Sequence, residues 1–288
     1  MVEKEVKSIT SEILIIGNEL LNGTTLDTNS HWLSKELTKL GVGVVRKSTV
    51  GDNIEDIKSA FQEAIRRNPN WIFSLGGLGP TYDDKTLLGL AYATRRKIKM
   101  DPLAVRFLKE SAFELLSTKK PSHTSPRLLK SSLKMAKIPE GSIPLKNPAG
   151  SAPGVLLSYN GVSIVALPGV PREMKAIFKK HLKPLLSRAS SRYVRRECWL
   201  DVEGVGESKL ARGIEQIAAK YAPEIYVKSH PIGFKKGKSL LKIQLIQSFP
   251  KEMEARERRM KDKLLAATRE MIRTIKSLGG RVKREKLV

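Results

Sequence analysis

The sequence predicts an α/β domain built on a mostly parallel sheet, followed by a small α+β domain. Three observations carry that expectation. Apolar runs of strand length alternate with helical stretches through most of the chain, the pattern of a sheet covered by helices. Several of those runs end in glycine-containing turns, at Gly17, Gly51, Gly76 and Gly169. Around Ser187–Arg196 the composition shifts to Ser and Arg, and a shorter strand–helix pattern begins. The expected domains are 1–188 and 189–280, with 281–288 as a poorly ordered basic tail.

Glu12–Ile16 is an apolar run closed by Gly17 and reads as a buried strand. Gly17–Gly23, GNELLNG, suits a loop that places Glu19 just past the strand's carboxyl end. Asn29–Leu40 carries Trp32, Leu33, Leu37 and Leu40 at helical spacing, with Gly41 as a stop. Val42–Val50 is the second strand, and Gly51-Asp52-Asn53 caps a helix whose apolar face is Ile54, Ile57, Ala60, Phe61, Ala64 and Ile65. Trp71-Ile72-Phe73 is the third strand. Asp101–Leu116 and Ser125–Met135 read as helices joined by a polar stretch with His123, a surface histidine. Lys146–Gly154 is a loop, and Val155–Ser158 with Val162–Leu167 forms a hairpin. Pro168–Pro171 then leads into a helix with Pro171 in its first turn. The small domain reads as strand Glu197–Val202, helix Glu207–Tyr221, strands Glu224–Ser229 and Ser239–Gln247, and helix Lys251–Ser277.

The stretch with the most chemistry is Ser74–Thr86, SLGGLGPTYDDKT, between the third strand and the helix that begins near Leu87. Gly76, Gly77 and Gly79 allow the backbone to lie close against a ligand, and the N–H groups of the following helix suit an anion. Asp83 and Asp84 in the same turn repel a phosphate unless a cation sits between, and hard oxygen ligands are what Mg²⁺-type ions take. The turn thus suggests a phosphate-bearing ligand held through a metal at Asp83 and Asp84. A plainer reading stands beside it: Asp83 also suits a helix cap. Glu19, Asp52, Asp83 and Asp84 all follow strand ends, so right-handed crossovers would bring them to one rim.

The chain has 288 residues, with 40% hydrophobic and 28% charged, as in a globular protein. No run approaches the roughly 20 apolar residues of a membrane span, and the charged N-terminus lacks an apolar signal core. A cytoplasmic location and no membrane partner are expected. One cysteine, Cys198, excludes an intrachain disulfide and cysteine-based zinc clusters. Net charge is +24, with 26 Lys and Arg against 12 Asp and Glu from His181 onward. Such charge attracts anions non-specifically.

These segments resemble the N-terminal region of the CinA family, within the wider group of molybdopterin-binding MogA/MoaB-like domains. The matching pieces are GNELLNG with Asn29 after it, VGDN at Val50–Asn53, GGLGPTYDDKT at Gly76–Thr86, NPAGSAPG at Asn147–Gly154 and LPGVPREMK at Leu167–Lys175. The match runs from about Glu12 to Leu186. The small domain looks like the KH-type module of that family, with Gly204–Ser208 opening its helix. The resemblance implies a three-layer MogA/MoaB-like fold and a divalent-metal-dependent pyrophosphatase acting on ADP-ribose or a related dinucleotide, with Mg, Mn, Co or Ni as cofactor. It assigns Asp52, Asp83 and Asp84 to the acidic cleft, with Glu19 beside them. It assigns Gly76, Gly77, Gly79 and Thr81 to the phosphate-facing turn, and Asn29, Asn147, Gly150 and Gly169 to ligand contacts. The family usually has an acid where this chain has Asn18. Full-length members carry a further amidohydrolase domain, for which this chain has no room.

Within the metal-dependent reading, Lys85 and Arg172 are candidates to offset charge on the phosphates, and Asp52 and Glu19 both qualify as general base. A molybdopterin-binding or transfer role without hydrolysis is the alternative. Nucleic acid is not expected as a partner: the small domain lacks a GXXG clamp and shows no aromatic platform beside Gly204–Gly206. Because the wider group often assembles, a homodimer is expected.

Overall fold

The computed structural model describes residues 9–117, 130–190, 193–250 and 257–287. The chain divides into two compact units, Lys7–Ser190 and Ser191–Val288.

In the larger unit the order is β1 (Thr10–Ile16), α1 (Asn18–Leu21), α2 (Thr28–Lys39), β2 (Gly43–Val50), α3 (Ile54–Arg66), β3 (Trp71–Leu75) and α4 (Thr86–Ala93). Then come β4 (Ile98–Met100), α5 (Pro102–Ser117), α6 (Lys130–Leu133), a 3₁₀ turn at Lys134–Ala136, β5 (Lys137–Pro139), β6 (Ile143–Leu145), β7 (Gly154–Tyr159) and β8 (Val162–Leu167). A last helical stretch joins α7 (Pro171–Ile177) to α8 (Lys183–Ser190) through a π turn at Phe178–Leu182.

The main sheet has the order β2-β1-β3-β8-β7-β6. Its first four strands are parallel, and β7 and β6 add antiparallel. Alternation along the strands sends the two faces into separate cores. On one face Ile13, Ile15, Phe73, Leu75, Val165 and Leu167 pack with Leu33 and Leu37 of α2 and Met174 and Ile177 of α7. On the other, Leu14, Ile16, Ile72 and Ile164 pack with Ile57, Phe61 and Ala64 of α3 and Leu90 of α4. Helices therefore cover both faces of a mixed, mostly parallel sheet. That is the α/β fold the alternating runs predict, in three layers.

Inside the sheet, β1 carries a buried carboxylate. Glu12 is 1% exposed, and Arg67, one residue past α3, grips it through Nε at 2.8 Å and Nη2 at 2.8 Å. Such a two-pronged pair is what keeps an ionised group tolerable in a core. Glu12 holds the Arg67 guanidinium above its ordinary value, first through that hydrogen bond.

Several local expectations change. Asn18–Leu21 is one turn of helix rather than loop. Asn53, not Asp52, caps α3, its side chain accepting from Glu55 N at 2.8 Å. The short strands β4, β5 and β6 were not expected. Of the expected helix Ser125–Met135, the structure describes α6 and the 3₁₀ turn; residues 125–129, and His123 before them, lie outside the described residues.

In the smaller unit β9 (Tyr193–Glu203), α9 (Glu207–Tyr221), β10 (Ile225–Lys235), β11 (Lys238–Pro250), α10 (Glu257–Ser277) and β12 (Arg281–Leu287) follow in order. The sheet is antiparallel, β10-β11-β9-β12. Its core packs Leu200, Val202, Ile243 and Leu245 against Leu210 and Ile217 of α9 and Met271 and Ile275 of α10. The expected basic tail is instead β12, whose residues pair with β9 from Arg281↔Glu203 to Leu287↔Cys198. An edge strand with charges outward supplies ladder hydrogen bonds without an apolar run. Of the helix expected from Lys251, the part before Glu257 lies outside the described residues. Among the described residues no helix is long and apolar enough to cross a membrane.

Candidate ligand site at the carboxyl edge of the sheet

Parallel strands β1, β2, β3 and β8 all release their chains at one edge of the sheet, where α/β folds build ligand sites. A cavity of about 830 Å³ lies there. Glu19, Asp52, Asp83 and Asp84 all line it, as do Gly76, Gly77, Gly79, Asn29, Gly150 and Gly169. The expectation that acids from three separate loops share one rim is what the geometry displays.

The turn after β3 is held by its own hydrogen bonds. Gly76 and Gly77 have φ of 106° and 66°, values L side chains rarely take. Gly76 N donates to Leu167 O at 3.0 Å, and Thr86 N donates to Gly77 O at 3.2 Å. The buried Thr86 hydroxyl donates to Gly76 O at 2.8 Å. A Cβ on Gly76 would run into Ile16 O, and one on Gly77 into Thr86 Oγ1. These glycines thus let three chain segments touch beneath the cavity floor.

Farther along, Thr81 N and Oγ1 donate to Asp84 Oδ2 at 2.8 and 2.5 Å. A Cβ on Gly79 would stand 2.6 Å from that oxygen. Asp83 is exposed. Its carboxyl is held below the ordinary value, first by a hydrogen bond from Thr81 and then by its own backbone, with Lys134 and Lys85 adding positive charge. Thr81 therefore serves both carboxylates rather than the cavity, which it does not line. Asp83 does not cap α4: the capping position is Lys85, with no side-chain cap bond.

Across the rim, Asp52 Oδ2 accepts from Asn18 N at 2.9 Å, and Asn18 Oδ1 accepts from Asp52 N at 3.4 Å. This reciprocal pair ties the loops after β1 and β2 together. A Cβ on Gly51 would strike Asn18 Oδ1. The residue that departs from the family's acid is thus a structural clasp. Glu19 lies beside Gly17, where a Cβ would be 2.5 Å from its Oε1.

Asn29 Nδ2 donates to Gly169 O at 2.6 Å, joining α2 to the loop after β8. Its Oδ1 is buried without a hydrogen-bond partner among the described residues. An orphaned buried acceptor costs free energy unless a water or a ligand donor reaches it. Asn147 differs from expectation. It is 4% exposed and does not line the cavity. Its Nδ2 donates to Ala152 O at 2.9 Å and to Glu173 Oε2 at 2.7 Å, while its Oδ1 accepts from Ala149 N at 3.0 Å. Asn147 shapes the loop and holds Glu173.

Sequence reasoning missed Glu173, Asp27 and Lys134. Glu173 lines the cavity from the first turn of α7, close enough to Gly150 that a Cβ there would overlap it. The rule that flags Asp83, an acid just beyond a strand's carboxyl end, flags Glu173 too. Asp27 also lines the cavity, but its oxygens accept from Ser30 N and Oγ as the cap of α2. Lys134 reaches back to donate to Thr81 O; its chain distance from the turn hides it. Arg172 is exposed and Lys85 half-buried, and both stand outside the lining.

Among the described residues, no group of three or more His, Cys, Asp or Glu side chains is placed to hold a metal ion. What is present is an adjacent carboxylate pair, Asp83 and Asp84. That suits a Mg²⁺-type ion bound by one or two carboxylates and completed by ligand phosphates and water.

Comparison with known proteins agrees with this architecture. A protein of Sulfurisphaera tokodaii is 43% identical over 249 residues, 86% of this chain and 90% of that protein. One from Aeropyrum pernix is 39% identical over 273 residues, 95% and 96% of the two chains. The crystal structure of CinA from Thermoplasma acidophilum, a protein described as of unknown function, superposes with a TM-score of 0.54 at 34% identity. It covers 61% of this chain and 98% of that one, supporting the resemblance of the larger unit to the CinA N-terminal region. The profile of the probable molybdopterin binding domain matches residues 12–188, and the chain belongs to that family.

Proposed function

We propose that the cavity binds ADP-ribose or a related dinucleotide and cleaves its pyrophosphate bridge with the help of a divalent cation. The observation that carries this reading is the gathering of Glu19, Asp52, Asp83, Asp84 and Glu173 with the glycine turn around one cavity. A space of about 830 Å³ is in the range of small-molecule sites and roomy enough for a dinucleotide.

In this reading Asp83 and Asp84 hold the cation, with Thr81 fixing the orientation of Asp84. Bound there, a divalent ion would supply charge neutralisation and a more acidic water. The backbone of Gly76–Gly79 lies against the diphosphate, and Lys134, beside Asp83, offsets charge. Asp52 is occupied by Asn18 N. Glu19 makes no side-chain hydrogen bond or ion pair among the described residues and is the better placed to take a proton from water. Asn29 Oδ1 is left to accept from a ribose hydroxyl or base amine.

A second reading, pterin binding without hydrolysis, is favoured by the family's description as a probable molybdopterin binding domain. Incubation with ADP-ribose and Mg²⁺, Mn²⁺, Co²⁺ or Ni²⁺, with products resolved by chromatography, separates the two. Metal-dependent release of AMP and ribose phosphate, lost in Asp83→Ala and Asp84→Ala, is expected. Tight molybdopterin binding with no cleavage would replace the first reading with the second. For the small unit the KH-type reading is kept as a proposal, supported by its sheet with helices packed on one face.

A further inference from the structure

Among the described residues, the helices of the smaller unit pack on one face of its sheet, through Cys198, Leu200, Val202, Val227, Leu241, Ile243 and Leu245. The alternate residues of the same strands form the opposite face. At its centre Trp199 of β9 and His230 of β10 stack across β11, with ring centroids 5.4 Å apart and planes at 29°. Tyr226, two positions before Lys228 on β10, is 59% exposed.

The stack is fixed from below. Trp199 Nε1 donates to Glu197 Oε2 at 3.0 Å, Gln244 Nε2 donates to the same oxygen at 2.8 Å, and His230 Nε2 meets Gln244 Oε1 at 3.2 Å. Arg195 anchors Glu197 at 2.7 Å. These bonds engage the ring edges, and the stack covers one face of each ring, so only the faces turned away from the partner ring are left to meet a further flat group.

Cations surround the stack. The ladder sets Lys286, Trp199, Gln244 and Lys228 in one row across four strands, and Arg284, Asp201, Lys242 and His230 in the next. The acids on this face are matched: Glu197 with Arg195, Asp201 with Lys242, Glu203 with Lys283 and Lys238. Lys228, Arg284 and Lys286 are exposed and form no ion pair among the described residues. An aromatic pair flanked by unmatched cations suits a ligand with flat bases on an anionic backbone, the arrangement that sheet-based single-strand binders use.

We propose that this sheet face binds single-stranded nucleic acid, two or three bases stacking on Trp199, His230 and Tyr226 while Lys228, Arg284 and Lys286 meet the phosphates. The surface is distinct from the Gly204–Gly206 loop and independent of the cavity in the larger unit. A duplex cannot present its base faces, so the preference for single strands separates stacking from mere charge.

The test is fluorescence anisotropy of the full chain with a labelled 12-nucleotide oligouridylate and a duplex of equal length, titrated at several salt concentrations. Single strands are expected to bind at least tenfold more tightly than duplex. Trp199→Ala should weaken that binding by about tenfold, a typical stacking loss, and Trp199→Phe should restore most of it. Lys228→Ala with Lys286→Ala, both surface changes, should lower the slope of log affinity against log salt by about 1.4, two single-strand phosphate contacts. Equal affinity for duplex and single strand, or wild-type affinity in folded Trp199→Ala, would reduce the face to a charge effect and overturn the proposal. Absence of oligonucleotide binding, or binding of an acidic peptide through the same residues in preference to it, would overturn it as well.

Discussion

Replacing Gly76 with alanine tests whether the turn beneath the cavity is as tightly built as its contacts imply. At φ 106° an L side chain carries about 1–3 kcal/mol of backbone strain. Its Cβ would also collide with Ile16 O. That carbonyl belongs to β1, hydrogen-bonded to strands on both sides, so relief requires moving a central strand. Forcing atoms into packed structure costs about 1–3 kcal/mol. Gly161 is the matched control: φ is 80°, and nothing lies within 4 Å of its Cβ position. Gly161→Ala should cost only the backbone share, about 1–2 kcal/mol. Gly76→Ala should therefore be worse by about 2 kcal/mol, or about 4–8 °C in melting temperature for a unit of this size. The assay is thermal unfolding in a Trp199→Phe background, where the remaining tryptophans, Trp32 and Trp71, both report on the larger unit. Equal melting temperatures for the two alanine variants would refute the reasoning.

Other perturbations follow from specific contacts. Arg67→Ala leaves the Glu12 carboxylate buried without its partner and should cost about 2–3 kcal/mol, read from the same melts; an effect under 0.5 kcal/mol would mean water replaces the guanidinium. Asn147→Ala frees Glu173 and the loop to Ala152, so it should weaken ligand binding at the cavity severalfold although the side chain does not line it; unchanged affinity would remove its positioning role. Burial, the largest single influence, pushes the Glu197 carboxyl up, but hydrogen bonds from Arg195, Gln244 and Trp199 together outweigh it and hold the group below its ordinary value. Its stabilisation is therefore present above the ordinary carboxylate range and lost as pH falls through the lower folded value. Wild type should exceed Glu197→Gln in stability at neutral pH and converge with it in acid; a gap that widens on acidification would reverse the sign.

Much of the larger unit was legible because its signals are local. The runs Ile13–Ile16, Ile72–Phe73 and Ile164–Leu167 are buried on both faces of the sheet, so they read as continuous apolar strands. Glycines at their ends mark the turns, and the acids beyond them mark the rim. What escaped was short or long-range. Strands β4, β5 and β6 have three residues each, too few for a period to show. β12 reads as a charged tail because an edge strand needs little apolar content, and only Val282 and Leu287 hint at a ladder. Asn147 reads as a ligand residue from its loop, yet its partner Glu173 lies 26 positions away. The Trp199–His230 stack depends on the register of β9, β11 and β10, which no local pattern reveals.

The most direct test of the acidic rim as a cation-bridged diphosphate site is calorimetric titration of an ADP-ribose analogue with a non-hydrolysable methylene bridge into the wild-type chain, with Mg²⁺ and then with EDTA. Binding is expected with the ion and should fall at least tenfold without it, because the bare carboxylates at Asp83 and Asp84 then repel the phosphates. Asp83→Asn should lose most of the Mg²⁺ dependence. Affinity that is equal in EDTA, or no binding under either condition, would contradict the proposed site.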